Sequence, residues 1–296
     1  MSSPAPRIPM DSAQRGEGPF VWRFNRFHRW THAVVIISFF LLVITGMPLR
    51  FSCAVWADSL MRALGGVEMA GLLHRIGAGL TFGYFGAHVA YLIVAFIRTE
   101  DRMRHLWGKD SIVPHPKDLS DIVQQIRWYF GRGERPAFGR YSYMEKFDYF
   151  AVFWGVAIIG GSGLLLWFPE FFAGFLPGWT FNVAAIVHAD EALLATGFIF
   201  TIHFFHVHMR PDKFPLDAVM FTGRATLEYM EEEHAGIVDG IRSGIDGPVA
   251  ERPVADAPAP PPTRRQTLWA AVLGFLALGV GFALIGLILW AVTYCA

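Results

Sequence analysis

Five stretches of the chain are apolar on every helical face and long enough to cross a bilayer, which takes roughly 20 mostly apolar residues. They run over about Trp30–Leu49, Met69–Ile97, Phe147–Phe168, Phe181–Met209 and Leu268–Tyr294. Proline marks several of their ends, at Met47-Pro48, at Pro169 and at Arg210-Pro211, where a helix tends to stop. Barrel strands would alternate in polarity and be about half as long, so the pattern predicts an all-α membrane protein. Between the spans the pattern changes. Asp118–Phe130 places Leu119, Ile122, Val123, Ile126 and Phe130 near one helical face, which predicts a helix lying on the membrane surface or against a partner. Thr226–Ile245 reads as a short acidic helix carrying Glu228, Glu231, Glu232 and Glu233, and Pro253–Pro262 holds five prolines and reads as an extended linker. The predicted organisation is an N-terminal segment over 1–29, a four-helix transmembrane bundle over 30–215, the acidic helix and linker over 216–267, and an appended transmembrane helix over 268–296. The linker implies that this fifth span stands outside the core of the four-helix unit.

Composition agrees with this picture. The 296 residues are 53% hydrophobic and only 17% charged, against about 25% charged in soluble domains. A soluble globular enzyme, a disordered chain and a nucleic-acid binder are excluded, the last because its basic surface would show as net charge. Lys+Arg and Asp+Glu balance at 25 each. Two cysteines, Cys53 and Cys295, are too few for a four-cysteine zinc or iron–sulfur site, and no C-x-x-C-H run occurs for covalent haem. The first thirty residues lack a secretory apolar core, so the first span is expected to be retained. Lys and Arg number five in residues 1–30, ten in 98–146 and seven in 210–265, whereas the opposite side has only Arg50, Arg62 and Arg75. That asymmetry predicts a cytoplasmic N-terminus and an external C-terminus.

The histidines carry the candidate chemistry. Eleven are present, most of them in the spans or at their ends, where an ionisable group is expensive and normally serves a function. His74 and His88 lie on the second span, His188 and His203 on the fourth, with thirteen and fourteen residues between the members of each pair. At about 100° and 1.5 Å per residue, each pair keeps to one side of its helix and its members stand roughly 21–22 Å apart. The two spans run in the same direction, so His74 meets His188 near the outer face and His88 meets His203 near the inner face. Two imidazoles at each of two depths fit haem b, a flat apolar group that takes an axial imidazole on either side of its iron. Zinc would need four ligands at one point. Small residues would let a porphyrin approach the backbone: Gly77, Gly79, Gly83 and Gly86 on the second span, and Gly155, Gly160, Gly161 and Gly163 on the third. Arg75 is the outer cation placed for haem propionates, with Arg29, Arg98 and Arg210 as inner counterparts.

On these residues the chain resembles two related groups. The paired histidines on alternate spans are similar to the di-haem core of the quinol-oxidising cytochrome b/b6 complexes. Arg29-x-x-His32 followed by Thr45-Gly46, together with His188-x-x-Glu191-Ala192, resembles the b-type cytochrome subunits of membrane formate dehydrogenases, nickel–iron hydrogenases and thiosulfate reductases. The likeness covers about residues 20–215. The two groups differ over the inner haem: the formate dehydrogenase type implies His32 as its ligand, the b/b6 type His88. The inner end also carries His28, His206 and His208. Three arrangements are open: His88–His203 with His32 and His208 spare, His32 in place of His88, or a third haem between His32 and His208 or His206.

Two or three haems spaced through a bilayer form an electron path, and the natural lipid-phase reactant is a quinone such as menaquinone. Quinone chemistry needs proton donors and acceptors near a haem, and Asp190 and Glu191, within one turn of His188, are the outer candidates. The formate dehydrogenase likeness implies quinone reduction near the inner haem. With no flavin, dinucleotide or iron–sulfur motif in the chain, the outer electrons require a periplasmic multihaem cytochrome or iron–sulfur subunit. The expectation is a multi-pass b-type cytochrome of a bacterial inner membrane. A metal or proton transporter and a cofactor-free anchor subunit are the alternatives of other classes.

Overall fold

In a computed structural model the described residues are 19–100, 102–108, 110–239, 241 and 258–295. The stretch up to residue 18 and the first part of the proline-rich linker therefore lie outside them. Five helices are long and apolar enough to cross a membrane. In chain order the elements are strand β1 (Phe20–Trp22), α1 (Arg26–Arg50), α2 (Val55–Ala63), α3 (Val67–Arg98), α4 (Arg102–Trp107), α5 (Pro116–Tyr129), α6 (Tyr143–Trp167), α7 (Pro169–Ala173), α8 (Trp179–Met209), α9 (Val219–Thr222), β2 (Arg224–Thr226), α10 (Leu227–Glu233), β3 (Pro258–Ala259) and α11 (Arg264–Tyr294). The spans are α1, α3, α6, α8 and α11, and the protein is an all-α membrane bundle. Each of the five contains the stretch read from the sequence or matches it within a residue or a few. The first runs on past Pro48 to Arg50.

The spans form one compact unit: Trp30–Arg98, Asp148–Arg210 and Leu273–Ala296. Its apolar centre joins Val43, Met47 and Phe51 to Phe200 and Phe204 of α8 and to Leu278, Leu284, Ile288 and Ala291 of α11. The fifth helix is thus packed within the bundle, where the sequence reading has it appended. Two features seat it. Gly281 lies against the rings of Phe200 and Phe204, and a Cβ there would stand 3.0 Å from Phe200 and closer still to Phe204. Cys295 is joined by a disulfide to Cys53, with the Cα atoms 6.1 Å apart. Neither signal is visible from proline content, which is why the linker misleads.

The second unit gathers the flanking segments Met1–Arg29, Thr99–Phe147 and Pro211–Val272. Here β1 is the middle strand of a small antiparallel sheet, β2-β1-β3, with Phe20 opposite both Thr226 and Ala259. Val21, Ala225, Met230, Val238 and Ile241 fill the space beneath it. Gly223 turns the chain from α9 into β2 at φ +77°, and a Cβ there would come within 2.6 Å of the Phe24 carbonyl oxygen. The acidic helix is capped by Thr226, whose side chain accepts from the Tyr229 amide. It pauses after Glu233, where Gly236 donates its amide to the Phe138 carbonyl at 2.8 Å, and the end predicted near Ile245 lies outside the described residues. Beneath lies a buried polar knot. Arg23 and Arg140 each donate to the other's carbonyl, and His234 Nδ1 donates to the Gly139 carbonyl at 2.9 Å. Burial, reinforced by the nearby Arg23 charge, holds the His234 imidazole down to about 4, against the opposing pull of Glu145.

Candidate functional site

His74 on α3 and His188 on α8 face each other with ring centroids 6.2 Å apart and planes at 70°. Each ring is held by its Nδ1. Thr45 Oγ1 lies 2.9 Å from His74 Nδ1 and already donates to the Leu41 carbonyl at 2.6 Å, so the hydroxyl oxygen accepts the imidazole proton. His188 Nδ1 donates to the Ile159 carbonyl at 2.9 Å, where a carbonyl can only accept. Both histidines are therefore the Nδ1–H tautomer, which leaves the Nε2 lone pair available to a metal; fixing one nitrogen to select the other is how ligating histidines are oriented.

The backbone makes room for these rings. Gly46 follows Thr45, and a Cβ there would lie 3.2 Å from His74 Cε1; a Cβ at Gly163 would lie 3.0 Å from His188 Cε1. Glycine lets each ring lie against the opposing helix. The Ile159 carbonyl sits in a π-turn of α6, Val156–Gly160, and such turns lack the regular i→i−4 ladder, which frees a carbonyl for a side chain. Among the glycines read as a porphyrin groove, Gly77 and Gly160 serve packing: a Cβ would meet Leu42 or Phe82 at 3.1 Å. Gly79, Gly83, Gly86 and Gly161 would meet nothing within 4 Å, so those stretches of α3 and α6 remain open.

The end of the bundle that carries His88 and His203 divides into two arrangements. His203 Nδ1 lies 3.0 Å from Asp148 Oδ2, again an Nδ1–H tautomer with Nε2 left over, and His203 interacts electrostatically with His32. His88 differs: its Nε2 is the atom engaged, by the Tyr149 hydroxyl at 2.9 Å. Adjacent residues of α6, Asp148 and Tyr149, thus take one histidine each. A π-turn over Ile199–His203 takes in an extra residue, so His203 stands about 100° back from where an unbroken α-helix would put it. His208 is buried with its ring 4.7 Å from Phe204, and His206 lies edge-on to Phe205. Asp190 forms an ion pair with Arg50 at 2.8 Å, and Glu191 Oε2 accepts from the Trp154 indole at 3.3 Å. Arg75 is exposed beside His74, and Arg29 donates to the Phe221 carbonyl at 2.8 Å. Asp148, Tyr149 and Ile159 escaped the sequence reading; Asp148, a carboxylate near the start of a span, was the one with a visible signal.

The fold and the paired histidines define a class: a multi-pass helical membrane protein with imidazoles of different spans brought face to face. No family model matches the chain. It is 22% identical over 183 residues, 61% of this chain and 72% of the relative, to the cytochrome b556(Fdn) subunit of nitrate-inducible formate dehydrogenase from Escherichia coli (strain K12). The same extent of likeness holds for the corresponding subunits of Escherichia coli O157:H7 and Shigella flexneri. The likeness supports a membrane cytochrome b of the formate dehydrogenase type.

Proposed function

We propose that this chain is a di-haem b-type cytochrome that carries electrons across the membrane between the quinone pool and a partner redox subunit. The observation that carries the reading is the pair His74–His188. Their 6.2 Å centroid separation accommodates two metal–imidazole bonds of about 2 Å each, with the rest taken up by the two half-rings. Each keeps Nε2 free through an Nδ1 anchor on a further helix, α1 for His74 and α6 for His188. Haem b bound there would supply a one-electron carrier.

His203 shares the Nδ1 anchor through Asp148, and its electrostatic interaction with His32 favours His32 as the opposite inner ligand. The Tyr149 contact at Nε2 counts against His88 in that role and leaves it as a polar group beside the inner site, with His206 and His208. Thr45, Ile159 and Asp148 each hold a proton on the far nitrogen of a ligand. Asp190, braced by Arg50, and Glu191 are the outer carboxylates available for proton exchange, and the exposed Arg75 is the outer cation for propionates. The disulfide between Cys53 and Cys295 supports placing that end of the bundle in an oxidising compartment, in agreement with the excess of Lys and Arg at the other end. A periplasmic multihaem cytochrome or iron–sulfur subunit would then meet the outer haem, and quinone the inner one.

Haem content per purified chain tests this. Wild type should carry two haems b. His74→Ala or His188→Ala should remove one, His32→Ala or His203→Ala the other, and His88→Phe should retain both. A colourless wild type ends the reading, and loss of haem in His88→Phe with retention in His32→Ala overturns the inner pairing.

A further inference from the structure

Helix α5 has its polar side in and its apolar side out. At about 100° per residue, Leu119, Ile122, Val123, Ile126 and Phe130 share one arc, and Asp121 and Gln125 lie on the other side. The buried residues are the polar ones: Asp121 is 5% exposed and Gln125 6%. Leu119 is 70% exposed and Phe130 77%, with Val123 and Ile126 at half. This orientation is locked. Lys117 pairs with Asp121 at 2.6 Å and Lys146 with Asp118 at 2.9 Å, and His115 and Asp118 close a reciprocal cap at the helix start. Helices surrounded by water turn their charged face outward; this one turns it into its own unit.

We propose that α5 is an interfacial helix whose apolar arc is seated in the headgroup–acyl boundary of the bilayer that the spans cross. Three observations favour lipid over a protein partner. Exposed Tyr129 borders the arc, and exposed Trp107 lies near the helix start with its ring 5.7 Å from that of His115; such rings collect at membrane–water interfaces. Arg127, one turn after Val123, and Arg132, just past the helix end, are exposed, complementing anionic headgroups. Helix α5 also lies in the connection between the span ending at Arg98 and the span starting at Tyr143, so the chain enters the bilayer before it and after it.

The test uses the full chain in vesicles of phosphatidylcholine and phosphatidylglycerol. Nitroxide labels go on Val123→Cys and Ile126→Cys within the arc, and on Ser120→Cys and Gln124→Cys outside it. Labels at 123 and 126 should collide readily with oxygen and rarely with an aqueous nickel chelate, and those at 120 and 124 should show the reverse. Adding Leu119→Glu should shift the label at 123 toward the aqueous pattern. Free access of the chelate to 123 and 126 would show a solvated face; shielding of both from oxygen and chelate alike would show a covering protein. Either result overturns the proposal.

Discussion

Thr45 accepts the Nδ1 proton of His74 from a position one helix away, its own proton being committed to the Leu41 carbonyl. This chain of two hydrogen bonds raises the electron density of the imidazole at Nε2. Removing the acceptor should therefore weaken the donor strength of His74 toward iron. Thr45→Val is expected to raise the midpoint potential of the outer haem, and Thr45→Ser to restore it, as read by potentiometric titration. An unchanged potential in Thr45→Val would mean that the hydroxyl only fills space.

The ring of His188 has no slack against α6. Gly163→Ala would place a methyl 3.0 Å from Cε1, tighter than ordinary packing and with no flexible end to give way. Haem occupancy at the outer site should fall in Gly163→Ala, whereas Gly79→Ala, which meets nothing within 4 Å, should load normally. Pyridine haemochrome assays on the two variants make the comparison, and equal loading would remove the steric role assigned to Gly163.

What could be read from the sequence was whatever depends on length and depth. Apolar runs located all five spans, and helix rise alone put His74 and His188 level. Features that depend on local departures from the α-helix stayed hidden. The π-turns at Val156–Gly160 and Ile199–His203 follow from tertiary packing, and they decide which carbonyl meets His188 and which face His203 presents. Long-range pairings were equally silent. Nothing in Pro258-Ala259 announces a strand beside Phe20, and α11 carries no polar stripe to show that Leu278, Leu284, Ile288 and Ala291 are packed inward.

The covalent link from Cys53 to Cys295 closes a loop of 242 residues, joining the end of the first span to the end of the fifth. Disulfides stabilise by about 2–4 kcal/mol, mainly by restricting the unfolded chain. Cys53→Ser and Cys295→Ser should each lower the melting temperature of the detergent-solubilised protein. The double variant should melt no lower than either single one, since one bond is lost in every case. A larger loss in the double variant would show that the thiols contribute separately.

His234 gives the extramembrane unit an acid-sensitive point. Its imidazole, with a folded value of about 4 against an ordinary value of about 6.5, is buried beside Arg23 and donates to the Gly139 carbonyl. Between those values the unfolded chain binds a proton that the folded chain refuses, so folding weakens as the pH falls. The contribution is complete above pH 6.5, declines from there to about pH 4 and is flat below. At 1.36 kcal/mol per tenfold change, the total is on the order of 3 kcal/mol. Hydrogen exchange of the amides around Met230 and Ala225, followed from pH 7.5 to 4.5 after correction for intrinsic rates, should show protection falling through this window. His234→Gln, which cannot take up the proton, should lose most of that pH dependence, whatever its absolute stability. A wild-type profile that stays level down to pH 4.5 would mean that the folded protein accommodates the charged imidazole beside Arg23, with Glu145 as its counter-ion.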